Sequence, residues 1–90
     1  MAGPNVRTIL IDKNNRVWLG TKNGLSQFYE ESNHKWFENY RYQSGKNSLS
    51  NNMVMSLWEG KKDKIWIGTN GGGINKLDLK TGQFSAYTNA

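Results

Sequence analysis

The chain has no cysteine, which removes thiolate metal sites, nucleophilic thiols and a disulfide framework together. A cysteine-free chain suits either side of a membrane, so the compartment stays open. Histidine occurs once, at His34, in a polar stretch expected to be an exposed turn, with no second histidine or carboxylate at metal-ligand spacing. No apolar run is long enough to span a bilayer, and Met1 to Asn5 has neither a basic region nor an apolar core, so no export signal is expected in these residues. Phosphate-binding patterns fail as well. The run Gly71-Gly72-Gly73 leads into a strand pattern where a helix N-terminus is required, and Ser44-Gly45-Lys46-Asn47 lacks the upstream glycine of a P-loop. Asp12-Lys13-Asn14 begins like a calcium loop without the later ligands. Seven carboxylates with nothing to pair them offer no acid/base couple for hydrolysis. No metal, no cofactor and no catalytic residue is therefore expected, and an enzyme reading finds no support.

Apolar content is also scarce. Ninety residues with 36% hydrophobic side chains and a mean hydropathy of −0.79 make at most one small domain with a thin core. The formal charge of +5 invites a nucleic-acid reading, but the basic residues are scattered. Their one cluster, Lys61-Lys62-Asp63-Lys64, falls where a hairpin tip is expected. The aromatics alternate with small or polar residues as core positions do, instead of forming an exposed stacking surface. No nucleic-acid partner is expected.

What the chain does have is a repeat. Val17-Trp18-Leu19-Gly20-Thr21 returns 48 positions later as Ile65-Trp66-Ile67-Gly68-Thr69, and the ungapped overlay also matches Val6 with Val54, Lys13 with Lys61 and Gly24 with Gly72. A unit of this length is one supersecondary element that cannot bury its own apolar face, so it points to an array. Within each unit the periodicity is that of strands and turns. Val6 to Ile11, Arg16 to Thr21, Leu25 to Tyr29 and Trp36 to Tyr40 form a first four-stranded meander, with turns at Asp12 to Asn15, Lys22 to Gly24 and Glu30 to Lys35. Met53 to Glu59, Lys64 to Thr69, Ile74 to Leu79 and Gln83 to Thr88 form a second. Asn15 and Asp63 are expected in left-handed turn positions. The fold class is all-β: two four-stranded antiparallel sheets over residues 6–40 and 53–88, joined by an aperiodic loop over 41–52, with an extension at 1–5 and a tail at 89–90. Two such meanders look like propeller blades.

The residues then carry a family resemblance. Ile65-Trp66-Ile67-Gly68-Thr69-Asn70-Gly71-Gly72-Gly73-Ile74, followed by Leu77-Asp78, Thr81-Gly82 and Phe84-x-x-Tyr87, resembles the two-component regulator propeller repeat, and the first unit resembles it less fully. Ser48 to Val54 is similar to the segment that leads into a blade of that family. The resemblance implies a blade core of Trp18, Gly20, Thr21, Trp66, Gly68, Thr69, Phe84 and Tyr87. It further implies an extracytoplasmic or periplasmic sensor domain of about seven blades, in a bacterial hybrid receptor that perceives polysaccharide-derived ligands and signals to a kinase. The alternative is a self-assembling propeller scaffold, excised or engineered, with no ligand of its own. A propeller lyase would need a catalytic histidine or acid at the channel mouth of both units, and none is visible.

Two expectations about function follow. Loops on one end of a rigid scaffold are where ligands gather, so an acidic or neutral oligosaccharide is expected to contact Lys22, Asn23, Asn51, Asn52 and Asn70, whose amides and ammonium suit hydroxyls and carboxylates. Trp36 and Tyr42 have no counterparts in the second unit and are freer to act, although packing roles are preferred. Each blade face must also be covered by another blade. A two-blade chain leaves two different, complementary apolar faces bare, and such contacts join head to tail. The expected partner is therefore a copy of this chain, in a closed trimer or tetramer with the Gly-Thr strands facing across each junction and with no membrane insertion.

Overall fold

The computed structural model describes residues 6–44 and 47–87, and every regular element among them is a strand. The first sheet holds β1 (Val6–Ile11), β2 (Val17–Thr21), β3 (Gly24–Glu31) and β4 (His34–Tyr40). The second holds β5 (Val54–Glu59), β6 (Lys64–Thr69), β7 (Ile74–Asp78) and β8 (Gln83–Tyr87). Both are antiparallel meanders in chain order, β1-β2-β3-β4 and β5-β6-β7-β8. Each carries a register shift at the same place, between Val6 and Thr8 in one and Val54 and Ser56 in the other. The extension at 1–5, residue 88 and the tail at 89–90 lie outside the described residues.

The third turn of the first sheet is shorter than its polar composition suggests. Pairing continues through Glu30 with Lys35 and Glu31 with His34, so only Ser32 and Asn33 turn, with φ of 49° and 68°. Two left-handed central residues match the twist of a tight hairpin, and the ladder is held by the Tyr29–Trp36 stack, with centroids 5.0 Å apart and planes 4° from parallel. His34 consequently starts a strand instead of sitting in a turn, and its ring packs 5.2 Å from that of Trp36. Asn15 and Asp63 take the left-handed conformations expected of them, at 62° and 58°.

Alternation along the strands gives each sheet two faces. In the first, Leu10, Trp18, Gly20, Leu25 and Tyr40 share one face, while Ile9, Ile11, Val17, Leu19, Phe28 and Phe37 share the other. Equivalent positions in the second are Trp58, Trp66, Gly68, Ile74 and Tyr87, and then Leu57, Glu59, Ile65, Ile67, Leu77 and Phe84. A single core lies between the sheets. It unites the tryptophan face of the first, through Trp18 and Leu25, with the isoleucine face of the second, through Ile65, Ile67 and Leu77, and adds Val54 and Leu49. Full burial of Trp18 and Leu25 contributes on the order of 2–3 kcal/mol each.

The sheets meet where β5 packs on β1 and β2. A Cβ on Gly20 would stand 2.6 Å from a Val54 methyl, so the glycine is the socket for that valine. Across this junction inside the chain β5 faces β1 and β2, because the sheets stack through the first strand of the second sheet.

Candidate functional site

Asp12 stands at the end of the first hairpin and organises it. Its Oδ1 accepts the backbone N–H groups of Asn14 at 2.9 Å and Arg16 at 3.0 Å. Its Oδ2 accepts Arg16 Nε at 2.6 Å and Trp18 Nε1 at 3.1 Å. Burial alone would raise this carboxyl, but the bonds from Arg16, Trp18 and the backbone outweigh it and hold the pKa below the ordinary value. What begins like a calcium loop is a carboxylate saturated by protein donors. It fixes the indole edge, so Trp18 enters the core with its N–H satisfied. The second sheet has Gly60 at this point, against which the Trp66 indole edge lies.

The five residues expected to meet a ligand all fall at one end of the sheets. Lys22 and Asn23 form the β2–β3 turn, Asn70 begins the β6–β7 turn, and Asn51 and Asn52 close the inter-sheet loop. Their chemistry is divided. Asn51 Oδ1 accepts the Met53 N–H at 2.8 Å, Asn52 Oδ1 accepts the Tyr42 N–H at 2.6 Å, and the Asn70 N–H bonds Met53 O at 3.0 Å. Those groups hold the loop in place, whereas Lys22 is exposed. The glycine run serves the same purpose: a Cβ on Gly72 would press on Asn51 and the Ser50 hydroxyl. Thr21 and Thr69 each donate a hydroxyl across their own turn, to Gly24 O at 3.0 Å and Gly73 O at 2.8 Å. Tyr42 is half exposed at 50%, and Trp36 is spent on its stack with Tyr29.

Three features lay beyond the sequence patterns. Asn75 is fully buried within β7, takes the Ser50 N–H at 2.9 Å and gives its amide to Ser50 Oγ at 2.8 Å. Asn47 caps the far hairpin by accepting the Phe84 N–H at 2.6 Å and donating to Gly82 O at 2.9 Å. A cleft of about 500 Å³ between the sheets, walled by Arg16, Gln27, Tyr29, Tyr40, Leu77 and Leu79, opens at the opposite end from the five candidate residues. Among the described residues no group of three or more His, Cys, Asp or Glu is placed to hold a metal ion, and no helix is long and apolar enough to cross a membrane.

The largest departure from a finished surface is at the two outer faces. On the second sheet Trp58 is 41% exposed, Ile74 41% and Tyr87 51%, and Trp66 is only partly buried between Trp58, 6.5 Å away, and Tyr87, 5.8 Å away. Lys76 Nζ lies 5.7 Å from both the Trp66 and Tyr87 rings. Trp66, Gly68 and Tyr87, expected as blade core, therefore lie on a bare face, because no third sheet covers them. On the first sheet Ile9 and Ile11 are each 62% exposed and Phe37 37%, while Phe37 leans on Phe28 at 5.2 Å. Adjacent exposed apolar side chains on this scale mark an interaction surface.

Comparison with known proteins adds one match. Residues 1–23, which hold the first Trp-Leu-Gly-Thr motif, match the model of the family described as two component regulator propeller, and the two four-stranded antiparallel sheets are consistent with a pair of its blades. No curated protein matches the chain.

Proposed function

We propose that this pair of two component regulator propeller blades is a non-catalytic unit that joins copies of itself head to tail into a closed ring of three or four chains. One observation carries the reading: the face left bare on each sheet is the positional equivalent of the face buried on the other. Trp18, Leu25 and Tyr40 occupy the same register positions as Trp66, Ile74 and Tyr87, and Val17, Leu19 and Phe28 the same positions as Ile65, Ile67 and Leu77. The contact inside the chain is thus a template for a contact between chains. The Gly68 socket would take Val6 of a neighbour as Gly20 takes Val54, and Val6 stands 38% exposed. Heterologous contacts close when rotation permits. Propellers of roughly four to eight blades admit three or four two-blade chains.

Size exclusion with light scattering tests this. The expected mass is about 31 or 41 kDa, three or four times 10.3 kDa, and Trp58→Arg or Ile9→Lys, both on bare faces, should return a folded monomer. A wild-type chain that is folded and monomeric at micromolar concentration overturns it.

A second reading is supported by the gathering of Lys22, Asn23 and Asn70 at one end. In it the ring belongs to an extracytoplasmic sensor and that end receives an acidic or neutral oligosaccharide. Calorimetric titration of a glycan panel against wild type and Lys22→Ala/Asn23→Ala checks it, and binding indifferent to those changes removes the placement.

A further inference from the structure

We infer that Lys61 is the unused twin of a clamp that ties the two blades of one chain together, and that its missing acceptors make the junction between chains the seam of the ring. The inference rests on the head-to-tail self-association proposed above. Inside the chain, the tip of the first hairpin reaches across to the second sheet. The Lys13 N–H donates to Glu59 Oε2 at 3.1 Å, and the Lys13 ammonium lies 3.7 Å from Asp63 Oδ1. Both carboxylates belong to the β5–β6 hairpin, which borders the isoleucine face of the second sheet.

The repeat supplies one half of this clamp again and omits the other. Lys61 falls in phase with Lys13, at the hairpin bordering the bare tryptophan face. Among the described residues it is exposed and engaged in no hydrogen bond or ion pair. Across a junction built like the internal one, it would meet the neighbour's equivalents of Glu59 and Asp63. Glu59 pairs with Ile65 as Ile11 pairs with Val17, so the first equivalent is Ile11. Asp63 and Asn15 share the same left-handed turn position, at 58° and 62°, so the second is Asn15. Neither bears a carboxylate. The internal junction joins apolar packing to a charge clamp, whereas the external one presents a lysine to an isoleucine and an amide.

The Lys61 ammonium accordingly selects a partner that offers a carboxylate at position 15, its N–H one at position 11, and the natural chain withholds both. An exposed ion pair is worth little by itself, but a ring repeats the junction at every chain, so a small change per seam is multiplied in assembly. The test uses the full chain, with dilution followed by light scattering at low ionic strength and at about 1 M salt, where exposed charges are screened. Asn15→Asp, which keeps the apolar Ile11, and Ile11→Glu/Asn15→Asp should lower the concentration of half-dissociation by about 3- to 10-fold at low salt. The Asn15→Asp gain should vanish at high salt and in a Lys61→Met background, whereas any part of the double variant's gain that comes from position 11 uses the residue-61 N–H, as Lys13 N–H uses Glu59, and should remain with methionine there. An Asn15→Asp gain that survives Lys61→Met, or no gain from Asn15→Asp, overturns the clamp while leaving assembly standing. A monomeric wild type removes the seam and the ring together.

Discussion

Trp18 and Trp66 sit at the same position of the same motif in equivalent strands, yet one is fully buried and the other is flanked by half-exposed Trp58 and Tyr87. The motif dictates the strand, its pairing and the direction of the indole. Burial is decided by whether another sheet lies across that face. The comparison separates two jobs that a single blade motif mixes: forming the sheet, which is local, and completing the core, which needs a neighbour. The same division holds on the opposite faces, where Ile65 and Ile67 are buried and their counterparts Val17 and Leu19 are only partly covered.

Truncating the two tryptophans breaks the comparison most strongly. Trp18→Ala should cost about 3–5 kcal/mol, enough to unfold a chain with so small a core. Trp66→Ala in the dilute chain should cost about 1 kcal/mol or less, since the indole already meets water there. Urea melts at low protein concentration check both, and size exclusion should show Trp66→Ala folded but unable to associate. Equal losses for the two would mean the faces are not distinguished as described.

Asp12 is the next contrast, since Gly60 takes its place in the second sheet. Asp12→Asn keeps the shape but gives up the charge that draws four donors, and a loss of about 2–3 kcal/mol is expected. The sign of the pH effect follows from the depressed pKa. Stabilisation from this carboxylate is fully present above the ordinary aspartate value of about 3.9 and is lost as pH falls through the lower folded value. Asp78 works in the same direction, through the backbone N–H of Lys80 and then through Lys64, but it is more exposed. The urea midpoints of wild type and Asp12→Asn, separated at pH 7, should converge only once pH falls below the depressed value of folded Asp12, and a gap that stays constant down to that acid end would refute the assignment.

Much of this architecture is legible in the residues, for reasons that also mark where legibility stops. Alternating Val-Trp-Leu-Gly-Thr and Ile-Trp-Ile-Gly-Thr segments with Asn, Asp and Gly between them define strands and hairpins, because period and turn chemistry are local properties. The node at Asp12 is harder to see. Its partner Trp18 is six residues away and comes within reach only when the hairpin closes, although an acid opening the turn and a tryptophan three residues past its end is a usable signal. Asn75 reads as one more polar strand residue, because its partner Ser50 lies 25 positions earlier in a loop without periodicity. Asn51 and Asn52 read equally well as ligand donors or loop braces, and the hydrogen bonds from Met53 and Tyr42 show their carboxamide oxygens bracing the loop.

The valine pair sharpens the comparison at smaller amplitude. Val54 is fully buried in the Gly20 socket and Val6, its equivalent, is exposed. Val54→Ala should cost about 1–2.5 kcal/mol, and Val6→Ala should leave the urea midpoint of the dilute chain within about 0.5 kcal/mol of wild type. Val6→Ala should instead weaken association, read by light scattering. If it alters stability as Val54→Ala does, the two sockets are not equivalent in the way the register implies.

The smallest expected effect separates the outer hairpins. In the second sheet the β7–β8 turn places its left-handed residue at Gly82, φ 76°, and a Cβ there would meet open space. In the first sheet the β3–β4 turn asks Ser32 for φ of 49° and Asn33 for 68°. Asparagine tolerates that region, but serine carries the full steric conflict between Cβ and backbone, about 1–2 kcal/mol per residue. Ser32→Gly removes that conflict and returns part of the gain as extra freedom in the unfolded chain, about 0.5–1 kcal/mol. The net expectation is a stabilisation of about 0.5 kcal/mol, visible as a slightly higher urea midpoint with unchanged slope. Ser32→Val should move it the other way, because a β-branched side chain suits the left-handed region least. Indifference to both substitutions would show that the hairpin is held by the Tyr29–Trp36 stack alone, and that its two-residue turn follows the strands instead of setting their register.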